Sequence, residues 1–423
     1  MPIFLKNATY IDYKSLEFKS GNIRVEEGAG GGIGFVDNIP KDAEILDCSG
    51  KYVTRSFVNA HHHIYSALAC GMPAPKKSPS DFAEILKYVW WVLDKSLDLD
   101  IIRASARVTA IECAKNGVTF VIDHHASPFA VEGSLSVIAE EFDRAGVGYI
   151  LCYELSDRDG DNIAESGLAE TENYLKSGRN ALVGLHASFT VSDSLMGKAV
   201  GLAKKYDSGI HIHTAEDPID QSETLKLSLK RVTERFKDAG VLGLKKSILV
   251  HCLHLNEYER TLIKNSGVWV AENADSNLNN NVGFFDSRGL GDNIMLGTDG
   301  MYSDMLRSAK SAFLIGQTVE SPNPDNIYAR LRNAHRYIAQ GGFKGDGENN
   351  LVILDYQPRT EMNSDNFLGH LIFAIESRDI ESVISGGKVI VKNRRTVNID
   401  EKDAYRFSRE MSEYLWKQME KYK

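Results

Sequence analysis

The sequence predicts an α/β fold: a (β/α)8 TIM-type barrel with a small β-sandwich-like domain formed from both chain ends. Between about residues 118 and 300, short apolar runs alternate with helix-like stretches, which is typical of parallel strands joined by crossover helices. Nearly every apolar run ends in a polar residue suited to chemistry. Because all strand tips converge only in a closed barrel, this pattern favours a barrel over an open doubly wound sheet, which binds ligands at one switch point.

The composition sets limits on the class of protein. The chain has 423 residues, of which 43% are hydrophobic and 25% charged, and its formal net charge is -9. This balance is typical of a globular protein and disfavours nucleic acid or an anionic membrane as the main partner. Five widely spaced cysteines without a C-x-x-C pair argue against a disulfide framework or a thiolate zinc site. The N-terminus lacks the features of a signal peptide, so a cytoplasmic location is expected.

The chain divides into four segments. Residues 1–55 and 346–400 carry short strand-like runs and are predicted to form one composite β-domain; residues 56–345 are predicted to form the barrel, and residues 401–423 a C-terminal helix. The glycine-rich run from Gly28 to Gly34 is interpreted as a hairpin turn, with a phosphate-binding loop as the weaker alternative.

The first long helical region begins at Phe82. Its apolar residues recur every three or four positions as far as Leu93, which predicts a helix packed on the core. A substrate-facing role for Trp90 or Trp91 is the weaker alternative.

A candidate metal site arises from the residues at the strand tips. His61 and His63 are alternate residues of one strand and therefore share a face, while His62 points elsewhere. His213 and Asp299 follow later apolar runs and complete a set of four ligands that leaves room for water. Each residue alone has an ordinary explanation, such as a core histidine or a turn aspartate. Their shared placement at strand tips favours the metal site.

Two further tip residues suit proton transfer. Glu216 follows His213 by three residues, which places a carboxylate beside the metal ligands, where it can move protons, although it could also cap the next helix. His251 ends another apolar run and could orient the attacking water. Asp299, besides binding the metal, can accept the proton of that water. Glu216, His251 and Asp299 are thus the predicted catalytic residues.

The ordered motifs resemble those of the amidohydrolase superfamily. They are Phe57-Val-Asn-Ala-His-His-His63, His211-Ile-His-Thr-Ala-Glu216, Val250-His-Cys-Leu-His-Leu255 and Leu296-Gly-Thr-Asp-Gly300. The branch they resemble contains guanine, cytosine and adenosylhomocysteine deaminases and triazine chlorohydrolases. Within it, Trp90-Trp-Val-Leu-Asp94, Val121-Ile-Asp-His-His-Ala-Ser-Pro128 and Leu354-Asp-Tyr356 are most similar to the SsnA aminohydrolase family.

The resemblance implies roles for individual residues. It implies a single divalent metal ion, preferably zinc with iron or manganese as alternatives, bound by His61, His63, His213 and Asp299. It also implies that Glu216 shuttles protons and that His251 positions the water. Substrate contacts are expected from His186, His125 and Asn277; for His125 and its neighbour His124, a hydrogen-bonded pair in a loop is an equal alternative.

Two segments depart from the superfamily pattern. Arg55-Ser56 replaces the usual Pro-Gly before the first-strand motif, and the segment from His335 to Asn350 is shorter than usual. These departures concern the return of the chain to the β-domain and leave the metal site untouched.

The resemblance implies hydrolytic deamination. We expect metal-activated hydroxide to attack a C–NH2 carbon of a small, amidine-type, heterocyclic substrate. Chlorohydrolysis or cyclic-amide hydrolysis at the same site is the nearest alternative, and a non-catalytic binding subunit is the alternative from another class. A small-molecule partner is expected, and a homodimer is left open.

Overall fold

The computed structural model describes residues 2–422, which begin with the strands of a small β-domain. These strands are β1 (Ile3–Ile11), β2 (Phe18–Val25), β3 (Ile33–Val36), β4 (Glu44–Asp47) and β5 (Tyr52–Arg55). Strand β1 pairs antiparallel with β2 and parallel with β4 and β5. The glycine-rich run connects β2 to β3 in an antiparallel pair.

Nine strands then form a closed barrel with eight parallel strand positions, called staves below. The third stave is split into two short strands. The nine strands are β6 (Phe57–His62), β7 (Val118–Asp123), β8 (Gly148–Ile150), β9 (Glu154–Leu155), β10 (Val183–Ala187), β11 (Ile210–Thr214), β12 (Ile248–His251), β13 (Trp269–Glu272) and β14 (Ile294–Leu296). Neighbouring staves pair in chain order. The backbone N–H of Thr298 donates to the carbonyl of His61 at 2.9 Å and joins the last stave to the first. The predicted (β/α)8 barrel is therefore confirmed.

Twelve helices accompany these strands. They are α1 (Phe82–Ile85), α2 (Trp91–Lys95), α3 (Leu99–Lys115), α4 (Ser134–Ala145), α5 (Asp161–Lys176), α6 (Asp193–Lys205), α7 (Pro218–Ser228), α8 (Val232–Ala239), α9 (Glu257–Ser266), α10 (Ala274–Asn279), α11 (Met305–Gly316) and α12 (Pro324–Gly341). A π-helical turn, Leu86–Trp90, connects α1 to α2. None of the helices within residues 2–422 is both long and apolar enough to span a bilayer.

After the barrel the chain returns to the β-domain. Strands β15 (Leu351–Leu354), β16 (Ile380–Ser385), β17 (Lys388–Lys392) and β18 (Arg395–Thr396) extend the N-terminal sheet, with β15 antiparallel to β5. Helix α13 (Phe367–Phe373) lies between β15 and β16, in a segment for which the sequence suggested only strands. The last helix, α14 (Glu401–Met419), buries Leu415 and Met419.

The barrel interior is filled by alternate residues of its strands. Val58 and Ala60 of β6 belong to the same buried cluster as Ile122 of β7 and Val250 of β12. Tyr337 near the end of α12 belongs to this cluster and closes the end of the barrel away from the site. The polar residues that follow these strands therefore lie at the opposite, carboxyl end, which is where barrel enzymes bind their ligands.

Candidate metal centre and substrate cavity

Four predicted ligands converge at the carboxyl end of the barrel. Asp299 Oδ1 lies 3.2 Å from His61 Nε2 and 2.9 Å from His63 Nε2, and the Nε2 atoms of His63 and His213 are 3.2 Å apart. One ligand atom from each residue lies within 4.8 Å of all the others. The first, fifth and eighth staves thus bring together three imidazoles and one carboxylate around one point.

A β-bulge aims the first two histidines into the barrel. Val58 and Ala60 face the interior, so strict alternation would place His62 there and His61 outside. The pairing of β6 with β7 shifts register between Asn59 and His62, which inserts one extra residue and reverses the alternation. His61 therefore faces the interior, while His62 Nδ1 donates to the carbonyl of Asp299 at 2.7 Å.

Hydrogen bonds fix the ring orientation of the other histidine ligands. His63 Nδ1 donates to the carbonyl of His124 at 2.6 Å, and His213 Nδ1 donates to the carbonyl of His186 at 2.9 Å. Because Nδ1 carries the proton in both rings, the Nε2 lone pair is available to a metal ion. His61 Nδ1 lies 2.9 Å from His211 Nε2, which holds the third ring in the same way.

Asp299 is held in place by its backbone and by a serine. It lies three residues after the end of β14 and adopts a left-handed backbone conformation (φ 55°), which aims its side chain into the barrel. Ser276 Oγ donates a short hydrogen bond to Asp299 Oδ2, so Oδ1 is the oxygen that faces the histidines. A Cβ at Gly297 would lie 2.9 Å from His61 Cβ, so a glycine there lets the last stave approach the first.

The electrostatics of this cluster suit a divalent cation. Burial lowers the pKa values of His61 and His213 well below their usual range, which keeps both rings neutral. Burial also acts on His63, but the Asp299 carboxylate outweighs it and raises the pKa of His63 to about 9. This carboxylate therefore attracts positive charge strongly at the point where the ligands meet. Three imidazole nitrogens and one carboxylate oxygen fit zinc, iron or manganese.

Glu216 and His251 form a pair beside the metal ligands. Glu216 Oε2 lies 3.5 Å from His251 Nε2, and Asn280 Nδ2 donates to Glu216 Oε1 at 3.3 Å. His251 Nδ1 donates to Asn277 Oδ1 at 2.8 Å, which leaves the Nε2 lone pair facing Glu216. Burial raises the pKa of Glu216 to about 7. A carboxyl group with that pKa can take up and release protons at neutral pH.

The ligand cluster opens into a small cavity at the carboxyl end of the barrel. One side is apolar and aromatic: Phe82, Leu86, Trp90 and Trp91. The π-helical turn lengthens the helix by one residue locally, and both tryptophans reach the cavity although they are adjacent in sequence. This arrangement fits a planar, partly apolar ligand.

A buried ionic cluster forms another part of the wall. Arg158 makes a short ion pair with Asp94, and its Nη1 lies 3.3 Å from Glu154 Oε1. The guanidinium also stacks 5.4 Å from the centre of the Trp91 ring. Burial raises the pKa of Asp94 to about 7. Burial also opposes ionisation of Glu154, but nearby positive charge, including that of Arg158, outweighs it and lowers the pKa of Glu154.

The predicted substrate contacts lie in different places. His186 lines the cavity, and its Nδ1 lies 2.6 Å from Thr190 Oγ1. His125 is fully buried and its Nε2 bonds Ser127 Oγ at 2.9 Å, which corresponds to the loop alternative. Neither His125 nor Asn277 is part of the cavity wall that residues 2–422 form; Asn277 instead orients His251.

Sequence reasoning missed several residues of the cavity. Glu154 directly follows an apolar run, so the strand-tip pattern could have identified it. Asp94 and Arg158 are 64 residues apart, and no local pattern predicts their pairing. Ser276 was also missed, although its neighbour Asn277 was expected to contact the substrate.

The comparisons with known proteins agree with this geometry. Residues 52–330 match the model of the Amidohydrolase family. The chain belongs to the amidohydrolase family. The narrower resemblance to the SsnA family stays a prediction.

Individual relatives cover most of the chain. A 5'-deoxyadenosine deaminase from Methanococcus aeolicus is 27% identical over 383 residues, covering 86% of this chain and 87% of that protein. The structure of an adenosine deaminase from Xanthomonas campestris with bound zinc superposes with a TM-score of 0.83 at 18% identity, covering 98% of each chain. The zinc complex of atrazine chlorohydrolase from Arthrobacter aurescens gives a TM-score of 0.81 at 17% identity, covering 97% of this chain and 100% of the other. These structures share the fold of this family member.

Proposed function

We propose that this amidohydrolase is a metal-dependent aminohydrolase, which replaces the amino group of a small, amidine-type heterocycle by oxygen and releases ammonia. The observation that carries the proposal is the position of Glu216, a carboxyl group with a pKa of about 7 beside the metal ligands and on the cavity wall. An amino group leaves poorly unless it is protonated, so its hydrolysis needs a group that holds a proton between two steps.

The proposed metal ligands are His61, His63, His213 and Asp299, and zinc is the preferred ion. A bound ion of this kind supplies Lewis acidity that lowers the pKa of water to about 7. Asp299 is proposed to accept the proton of the attacking water. His251 Nε2, whose lone pair faces the site, accepts a hydrogen bond and orients that water.

Glu216 is proposed to carry two protons in turn. It first protonates the ring nitrogen next to the reacting carbon, which makes that carbon a better electrophile. It then receives the proton of the newly added hydroxyl group and delivers it to the departing amino group, so ammonia leaves as a neutral molecule. The proton held by Asp299 restores the protonated Glu216. His186 is proposed to contact the bound substrate. Deamination is also favoured by the relatives of similar sequence, which are named as deaminases.

The metal assignment is tested by elemental analysis of the purified protein. We expect one zinc, iron or manganese ion per chain, and a strong reduction in a His61→Ala, His63→Ala double variant. His62→Ala is the matched control, because the bulge directs His62 away from the ligand cluster. Full metal content in the double variant, or equal loss in the control, would contradict the ligand set.

The role of Glu216 is tested by Glu216→Gln. Glutamine keeps the shape but cannot hold the proton, so turnover should fall by about 10²- to 10⁴-fold while metal content and folding stay unchanged. Glu223→Gln on α7 changes the same functional group at an exposed site and should have no effect. Near-normal kcat in Glu216→Gln would show that Glu216 is structural.

The reaction class is tested with a panel of aminopurines, aminopyrimidines, pterins and chlorotriazines, with ammonia and chloride measured in parallel. Ammonia release supports deamination. Chloride release without ammonia would favour the chlorohydrolase alternative. Silence in both assays from fully metal-loaded protein would count against deamination and favour cyclic-amide hydrolysis or a binding role.

A further inference from the structure

A buried acidic pair lies in the cavity wall close to the tryptophans. Asp94 on α2 is 1% exposed, Glu154 at the start of β9 is 6% exposed, and both line the cavity. The two carboxylates share one guanidinium, because Arg158 makes a short ion pair with Asp94 Oδ2 and its Nη1 lies 3.3 Å from Glu154 Oε1. The proposed reaction gives neither carboxylate a role.

The positive charges at this wall are outnumbered by carboxylates. Arg158 Nε donates to Asp159 Oδ2 at 3.0 Å, and Lys95 Nζ lies 3.0 Å from Asp159 Oδ1. Arg158 and Lys95 therefore face three carboxylates, and of these three Asp94 and Glu154 line the cavity. Burial, with a contribution from the charge of Glu154, raises the pKa of Asp94 to about 7. A further cation beside the pair would offset this repulsion and favour the ionised form of Asp94.

One oxygen of each carboxylate is left for a ligand. Asp94 Oδ2 accepts from Arg158, and Glu154 Oε2 lies 3.4 Å from His124 Nδ1. Asp94 Oδ1 and Glu154 Oε1 are buried and have no hydrogen-bond partner within residues 2–422. A buried carboxylate oxygen without a donor is costly, and an ionised carboxylate offers a ligand only acceptor sites. A ligand group that fits here is therefore a donor, and the excess of carboxylates favours a positively charged one.

Aromatic rings add to the surroundings of such a group. Tyr65 and Trp90 line the same cavity as the two carboxylates. The faces of tyrosine and tryptophan rings attract cations, most strongly where water is excluded. The guanidinium of Arg158 already stacks 5.4 Å from the centre of the Trp91 ring. Carboxylate oxygens together with aromatic faces suit an ammonium group, which has three N–H donors and a full positive charge.

We infer that Asp94 and Glu154 form a subsite for an ammonium group of the substrate. Resting on the proposed function, this assigns the substrate class: a heterocycle that carries, besides the amino group replaced at the metal centre, an aminoalkyl group protonated at neutral pH. The ammonium group donates to Asp94 Oδ1 and Glu154 Oε1 and takes no part in bond formation or cleavage. One oxygen of Glu154 lies within 4.8 Å of a ring nitrogen of His213, so one small ligand can reach both the metal centre and the subsite.

The test compares ligands that share a ring and differ in charge at one substituent. One pair is 2-aminopyrimidine with an aminomethyl or a hydroxymethyl group at C5. The other pair is 4-amino-2-methylpyrimidine with the same two groups at C5. The substituent lies opposite the amino-bearing carbon in the first pair and beside it in the second. Dissociation constants are measured with metal-loaded Glu216→Gln protein, which binds without turnover and lacks the Glu216 charge.

The expected result follows from the strength of hydrogen bonds to buried charges. The ammonium ligand should bind about 10- to 100-fold more tightly than the hydroxymethyl ligand in at least one pair. Equal or tighter binding of the hydroxymethyl ligand in both pairs overturns the inference. Failure of both ammonium ligands to bind overturns it as well.

Two variants in that background each remove one charge of the acidic pair. Asp94→Asn and Glu154→Gln keep the shapes of the side chains, and each should reduce the preference for the ammonium ligand by about tenfold or more. Asp159→Asn is the matched control, because it removes a carboxylate from the same guanidinium but lies outside the cavity wall, and it should keep the preference.

These variants also exclude other causes of a preference for the ammonium ligand. Circular dichroism verifies that each variant is folded, and either variant of the pair suffices if the other does not fold. A preference that survives the loss of each charge, or that the Asp159→Asn control loses to the same extent, would show that the acidic pair does not bind the ammonium group.

Turnover with the unmodified enzyme distinguishes this inference from the proposed function. Ammonia release from uncharged heterocycles, together with equal binding within both pairs, would overturn the subsite and leave deamination standing. Binding that favours the ammonium ligands without any release of ammonia would support the subsite and count against deamination.

Discussion

Ser276 shows how one side chain outside the ligand set controls the metal centre. Its hydroxyl donates to Asp299 Oδ2, which leaves Oδ1 to face His61 and His63. A carboxylate without this bond could rotate about its terminal torsion, which is broad and nearly two-fold. The serine therefore preorganises the single oxygen that the proposed site needs.

The prediction at this scale is that Ser276→Ala weakens metal binding. Loss of an outer hydrogen bond of this kind should lower metal affinity by about 10- to 100-fold. Competition with a chelator of known affinity measures the effect. Ser208→Ala is the matched control, because its hydroxyl is also buried but bonds the carbonyl of Ala181 away from the site. An unchanged metal affinity in Ser276→Ala would show that Asp299 is held by its backbone alone.

Part of the site could be predicted from the sequence because its residues lie at the carboxyl ends of strands. His61, His63, His213 and Asp299 follow apolar runs, and the fold confirmed from those runs brings them together. The pairing of Asp94 with Arg158 joins two different loops, and no periodicity within either segment encodes a contact of that range. A pattern based on strand ends also cannot identify residues that act by orienting another side chain, as Asn277 does for His251.

At the scale of elements, the β-bulge in β6 could not be predicted from the sequence. The motif correctly separates His62 from its two neighbours, because that follows from alternation alone. Which of the two sets faces the barrel interior depends on the register with β7, and the extra residue between Asn59 and His62 decides it. Strand pairing fixes this choice, and a single strand read by itself carries no signal of it.

A second prediction concerns the junction of the first and last staves. A methyl group at Gly297 would lie 2.5 Å from Asn273 Oδ1 and 3.0 Å from the backbone nitrogen of His61. Gly297→Ala should therefore push β14 from β6, destabilise the fold by about 1–3 kcal/mol and weaken metal binding through Asp299. Urea unfolding and metal titration measure both effects.

Gly197→Ala provides the control for that substitution. Gly197 lies on α6 with open space around the position of its Cβ, so alanine should be neutral or stabilise the helix by about 1 kcal/mol or less. If Gly297→Ala behaved like this control, close approach of the two staves would not be required for the metal site.

At the scale of the whole molecule, the two departures from the superfamily pattern meet in space. Arg55 at the end of β5 forms an ion pair of 3.1 Å with Asp346 Oδ1, and Asp346 Oδ2 lies 2.7 Å from His335 Nδ1 on α12. The Arg55 side chain also donates to the Asp346 carbonyl at 2.9 Å. The unusual residue before the first barrel strand and the short return segment thus form one buried connection between barrel and β-domain.

The last prediction tests this connection through its pH dependence. Burial alone would raise the pKa of Asp346, but His335 and Arg55 outweigh it and lower the pKa to about 2. A carboxyl group with a folded pKa below its unfolded value of about 3.9 stabilises the fold fully above that value, and this stabilisation is lost as the pH falls through about 2. Asp346→Asn removes the pH-linked stabilisation and leaves Arg55 without its charge partner, which should cost about 3–5 kcal/mol near neutral pH.

The difference in unfolding free energy between the wild-type protein and Asp346→Asn should therefore narrow by about 1 kcal/mol between pH 6 and pH 3. Urea unfolding at several pH values measures it, with the surface variant Asp365→Asn as the control that shows no such narrowing. A difference that stays constant over this range would mean that Asp346 joins the two parts of the molecule by shape and hydrogen bonding, and that its charge contributes nothing.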